Sequence, residues 1–329
     1  MMNHITKTSI LIACVLLLSV SIVNAGEHEA ILKQANMLSI EINRDNLVND
    51  VAWLSDDARQ GRASGSQAGE EVAQWLYKRF EKVGLVNFSK LGLRNYMHDF
   101  EYHVYDDVGV EHPAFSKNII GIIPGINESN EYVIVSAHYD HLGVEDGLIY
   151  NGADDNATGV AAMLEIARVI RNFSIKPSKT IVFVSFSAEE IGLHGSWNFC
   201  NAAHENNLAH SMVALNLEMF GPAKNSPMFV HLWEQQTPIT QPIIEAVRLA
   251  SNKLNVDMTT TADIDPGSDA LQLLDCEIAA TTLDVSGGSD FEKYHPYYHS
   301  PDDKLSNIDQ ENFHTAVQVS VMAVWLLAN

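Results

Sequence analysis

Six short apolar runs constrain this chain more than any other feature: "NIIGIIPG", "EYVIVSAHYD", "TIVFVSFS", "SMVALNLEMF", "PMFVHLW" and "EIAATTLDV". Each is rich in aliphatic, β-branched or aromatic residues and shorter than a typical helix, so each reads as a strand buried on both faces. Stretches with helical spacing lie between and around them. "GEEVAQWLYKRFEKVGL" sets Val72, Leu76, Phe80 and Leu85 near one helical face and closes with a glycine. "ATGVAAMLEIARVIRNF", "IIEAVRLASNKL" and "ENFHTAVQVSVMAVWLL" read as further helices. Strands alternating with helices predict an α/β fold, a three-layer α/β/α sandwich with a central mixed, mostly parallel sheet. With 46% hydrophobic and 19% charged residues in 329, the chain can build that core and lies outside the compositions of disorder. One domain from residue 26 to 329 accounts for the pattern, with residues 26–57 as a helical N-terminal extension.

The first 25 residues read differently. Lys7, an apolar stretch from Ile10 to Val23 and small residues ending at Ala25 predict a signal peptide, with a mature chain that is secreted or periplasmic. The stretch is shorter than the roughly 20 residues of a membrane span, so no stable membrane association is expected after cleavage. A formal net charge of -22, without Lys/Arg clusters, excludes nucleic acid and anionic lipid as partners. Cys200 and Cys276 are distant and lack CxxC spacing, and are expected to be separate buried thiols.

Chemistry in such folds gathers at the carboxyl ends of strands. "VIVSAHYDHLG" brings His138, Asp140 and His141 there, "NGADDNATG" brings Asp154 and Asp155, and "SFSAEE" brings Glu189 and Glu190. "ALNLEMFG" adds Glu218, and "YHPYYHSPDD" adds His295 and His299. Carboxylates crowded into one pocket raise each other's pKa unless a cation neutralises them. Imidazole and carboxylate donors without cysteine suit zinc in a hydrolytic site. Two histidines and three carboxylates exceed what one tetrahedral ion with an open position uses, so two ions sharing a carboxylate are expected.

The succession HxD, GADDNATG, SAEE, NLEM and YHSPDD resembles the di-zinc exopeptidases of metallopeptidase family M28, among them secreted bacterial aminopeptidases, glutamate carboxypeptidases and glutaminyl cyclases. The resemblance covers most of the chain after the leader, from "LSDDARQGRASGSQAGEEVAQWLYKRFEKVGL" onward. It implies Zn2+, two ions per chain, with His138 and Glu218 on the first, Glu190 and His299 on the second, and Asp155 bridging. It implies Glu189 as general base, Asp140 as the acceptor that orients His138, and Tyr298 as the group that polarises the scissile carbonyl. Asp155 is preferred to Asp154 because the bridging aspartate is the fourth residue of the GADD pattern.

This chain departs from the family pattern twice. Glu218 stands where many relatives have Asp, and Ala270 where many have His after "SD". His141, His194 and His295 carry no ligand role in the match and read as pocket or packing residues. The activity implied is that of an aminopeptidase acting on peptides with a free N-terminus. The alternatives are a glutaminyl cyclase of the same fold and a receptor-like ectodomain without catalysis.

Overall fold

The structure, a computed structural model, describes residues 25–105, 108–126, 130–233, 239–262, 267–286 and 291–329. The expected leader lies outside the described residues except for Ala25. Among the described residues no helix is long and apolar enough to cross a membrane.

Eight strands form one sheet. In chain order they are β1 (Met97–Tyr105), β2 (Glu111–Ile123), β3 (Tyr132–His138), β6 (Thr180–Phe186), β7 (Met212–Leu217), β8 (Phe229–Trp233), β9 (Asp257–Thr261) and β10 (Ala279–Asp284). A small hairpin, β4 (Gly143–Glu145) with β5 (Leu148–Tyr150), stands apart. The order across the sheet is β1-β2-β6-β3-β7-β10-β8-β9. The central four, β6, β3, β7 and β10, are mutually parallel, while β2 and β8 join their edges antiparallel.

The helices are α1 (Ala25–Ile40), α2 (Arg44–Leu54), α3 (Gln67–Val83), α4 (Gly159–Asn172), α5 (His194–Glu205), α6 (Gln241–Leu254), α7 (Asp269–Asp275), α8 (Phe291–Tyr294) and α9 (Gln310–Leu327). Strand alternation divides the interior. Val133 and Val135 of β3 enter the larger core with α1, α2, α3, α4, α6 and α9, while Tyr132 and Ile134 enter a second core with α5 and α7. Both faces of the sheet are therefore covered, which is why β3 and β6 have no exposed position and read as unbroken apolar runs.

The N-terminal helices are integral to the larger core. Leu38, Leu47, Val51 and Leu54 are fully buried in it. Polar pins add to this. The Asn43 amide donates to buried Glu165 Oε1 at 2.7 Å, and Asp50 pairs with Arg79 of α3. Cys200 on α5 and Cys276 just after α7 do not remain separate thiols. The two helices pack side by side and bring the cysteine Cα atoms to 6.1 Å, where they form a disulfide. That pairing is set by tertiary packing and has no signature in the spacing.

Candidate metal centre

Four parallel strands deliver their following loops to one edge. His138 is the last residue of β3. After β6 the chain turns at once: Ala188 and Leu193 both have positive φ, 60° and 59°, and α5 begins at His194. That turn aims both Glu189 and Glu190 into the site, which a continuing strand would not allow. Glu218 follows β7 directly, and its N–H donates to the Leu283 carbonyl at 3.0 Å. Asp154 and Asp155 lie on a tight loop before α4 that needs Gly152. A Cβ there would sit 2.2 Å from the Asp155 carbonyl oxygen and 2.5 Å from the His141 ring, at a φ of +56°.

The separations divide the histidines into two kinds. His138 Nε2 is 3.3 Å from both Asp155 Oδ1 and Glu218 Oε1. His299 Nε2 is 3.3 Å from Asp155 Oδ2 and 3.2 Å from Glu190 Oε2. His141 Nδ1 to Glu190 Oε1 and His295 Nδ1 to Asp154 Oδ2 are both 2.6 Å, ordinary hydrogen-bond distances. Donors about 2.0–2.1 Å from a tetrahedral zinc lie about 3.3 Å from one another. The first set has that spacing and the second does not. Asp155 Oδ2 is also buried with no well-aligned hydrogen bond, although His299 stands beside it. A buried carboxylate oxygen between two histidine–carboxylate sets, with no well-aligned hydrogen bond of its own, fits a divalent cation.

Grouped by proximity alone, ligand atoms of His138, Glu189 and Glu218 lie within 4.8 Å of one another, as do those of His138, Asp155 and Glu190. The finer distances separate Glu189 from the others. Its Oε2 is 3.9 Å from His138 Nε2, beyond a tetrahedral edge. Burial, reinforced by Glu218, Asp269 and Glu190 and opposed by His138, pushes the Glu189 carboxyl well above the usual carboxylate range. Burial also raises Asp140, to about 7, and Asp269, to about 6. Burial lowers His299, but Asp155 and Glu190 outweigh it and raise the imidazole to about 10. The cluster thus holds more carboxylates than its own cations balance.

Outer groups fix the inner ones. Asp303 accepts the amides of Asp154 and Asp155 at 2.8 and 3.0 Å. Asp154 also accepts the Gly221 amide at 2.7 Å, so its carboxylate is committed to the scaffold while that of Asp155 faces the site. The expected contact from His138 to the Asp140 side chain is not made as a hydrogen bond. Nδ1 is 3.9 Å from that carboxylate but 3.2 Å from the Asp140 backbone oxygen, because the carboxylate turns to the Glu189 amide. His141 and His295 brace carboxylates, and His194 stacks on Tyr102. Tyr298 stacks on His299 with ring centroids 3.8 Å apart. Arg62, in a glycine- and serine-rich stretch that gave no hint of burial, is fully buried and binds backbone oxygens of the segments that follow His138 and carry Asp155.

The chain is thus a mixed α/β/α sandwich with a buried histidine–carboxylate cluster, suited to a metal ion, at its parallel strand ends. The chain belongs to Peptidase family M28, which matches residues 118–324. Aminopeptidase YwaD of Bacillus subtilis (strain 168) is 32% identical over 213 residues, 64% of this chain and 44% of that protein. A probable zinc metalloprotease of Pyrenophora tritici-repentis is 28% identical over 214 residues, 61% of this chain and 48% of that protein. The chain spans about half the length of these relatives. The crystal structure of a zinc aminopeptidase from Bacillus subtilis superposes with a TM-score of 0.71 at 18% identity, covering 86% of this chain and 95% of that one. A glutaminyl cyclase from Porphyromonas gingivalis gives 0.69 at 17%, covering 86% and 98%. At these identities the likeness is one of fold.

Proposed function

We propose that the protein is a zinc-dependent aminopeptidase that releases N-terminal residues from peptides. In this reading His138, Asp155 and Glu218 hold one zinc ion, and Asp155, Glu190 and His299 hold a second. The observation that carries it is the uniform 3.2–3.3 Å spacing of two histidine–carboxylate sets joined through the two oxygens of Asp155. Zinc bound there supplies Lewis acidity to the scissile carbonyl and to the hydrolytic water. Glu189, kept out of the ligand sets, takes a proton from the attacking water and passes it to the leaving amine. Tyr298, on the wall of the adjoining cavity, donates a hydrogen bond to the carbonyl oxygen as charge develops there. Glu189 and Glu218 hold the substrate's α-ammonium, and the cavity has no Lys or Arg among its described lining residues. Asp140 acts through His138 and the Glu189 amide, so it is a positioning residue.

The test compares a short peptide with its Nα-acetylated form. Acetylation is expected to abolish cleavage, with single residues released from the amino end of the free peptide. Equal cleavage of both forms overturns the aminopeptidase reading. Loss of ammonia from an N-terminal glutamine peptide, without chain cleavage, replaces it with the cyclase. We further propose export to the periplasm or medium without membrane retention. The Cys200–Cys276 bond supports an oxidising compartment, and sequencing of the mature N-terminus should begin near Gly26.

A further inference from the structure

A cavity of about 310 Å³ opens beside the ligand cluster, bounded on that side by Glu189 and Glu218. Met219, Trp233 and Phe291 give it apolar walls, suited to an alkyl stem. Asp284, the last residue of β10, also lines it and is only 4% exposed. Its carboxylate is held in place: Oδ2 accepts the Trp233 indole N–H at 2.6 Å, and Oδ1 accepts the Ser286 amide and hydroxyl, each at 2.8 Å. A carboxylate has about four acceptor positions, so the three donors supplied by the described residues leave room for one more on the cavity wall. The Trp233 indole, whose N–H edge meets this carboxylate, also lines the cavity.

We propose that this cavity receives the side chain of the substrate's N-terminal residue and selects lysine or arginine, with Asp284 as the selecting group. The proposal rests on the aminopeptidase reading and adds the substrate class. A long apolar stem covers Met219 and Phe291, while the cationic tip takes the last acceptor position of Asp284 and lies against Trp233. A norleucine side chain fills the same walls but leaves the buried carboxylate without its counter-charge. A hydrogen bond between charged groups is worth about tenfold or more in selectivity.

The experiment measures kcat/KM for lysyl-, arginyl-, norleucyl- and leucyl-4-nitroanilide with the zinc-loaded enzyme. Lysyl or arginyl substrate is expected to exceed norleucyl by about tenfold or more. In Asp284→Asn the lysyl-to-norleucyl ratio should collapse toward one, and in Trp233→Phe it should fall part of the way. A wild-type ratio at or below one, with norleucyl or leucyl substrate readily cut, overturns the proposal and leaves the aminopeptidase reading standing. Failure to cut any of the four overturns both. The wild-type ratio is decisive even if a variant does not fold.

Discussion

Replacing Arg62 by methionine removes a guanidinium that is 0% exposed and spends all its donors on backbone oxygens. Nε donates to Tyr139 at 2.7 Å, one Nη to Asn151 at 2.5 Å and Leu54 at 3.3 Å, and the other to Gly152 at 2.6 Å and Asp155 at 3.1 Å. Five bonds to a charged donor gain about 1.5–3 kcal/mol each, and desolvating the cation returns a large part of that. The same desolvation lowers the Arg62 pKa, against the attraction of Asp155 and Asp303. What the methionine leaves is a set of buried carbonyls without donors, at about 1–3 kcal/mol apiece where the loops do not relax. The expected net loss is about 3–5 kcal/mol, roughly a fifth or more of a typical domain's stability. Urea denaturation of zinc-free protein measures it, and Arg62→Lys, with three donors and the same charge, should fall between the two. Because Arg62 holds the backbone that bears Asp155, zinc affinity should drop about 10–100-fold in a competitive chelator titration. A methionine variant within 1 kcal/mol of wild type, with unchanged zinc affinity, refutes this account of Arg62.

Glu189→Gln should lower kcat by about 10²–10⁴ with zinc content unchanged, whereas Glu190→Gln should also lose zinc, since Glu190 contacts both His299 and His141. Equal zinc loss from both, by elemental analysis, would show the two roles to be wrongly assigned. The Cys200–Cys276 bond spans 76 residues, and Cys276→Ser should cost about 4.5 kcal/mol on the chain-entropy account. A Tm for the wild type that reductant does not move would exclude the bond.

The central strands were legible because burial on both faces keeps β3 and β6 predominantly apolar and free of exposed positions. Helix α3 was legible too, since the Ser66 hydroxyl caps its start and Gly84, at φ 82°, ends it. Edge strand β1, "MHDFEYHVY", escaped because water on one side intersperses charged and polar residues and leaves only Phe100 and Tyr102 buried. α5 escaped because "HGSWNFCNAAHE" opens with Gly and Ser and mixes its faces. The ligand candidates stood out as residue types at strand ends. Residue type alone does not separate His141 from His299; the family resemblance does, and their distances to carboxylates, 2.6 Å against 3.2–3.3 Å, agree with it. Arg62 was invisible because its partners are carbonyl oxygens, which every residue has.

Asp155 joins groups that arrive far apart in time. His138 leaves the ribosome first and His299 last, and at about 5–20 residues per second the interval between them is roughly ten to thirty seconds. Through that interval no combination of finished segments contains both histidine–carboxylate sets. The proposed centre therefore has both of its histidine–carboxylate sets only after the last strand of the sheet has emerged, so the scaffold is available before the site is complete.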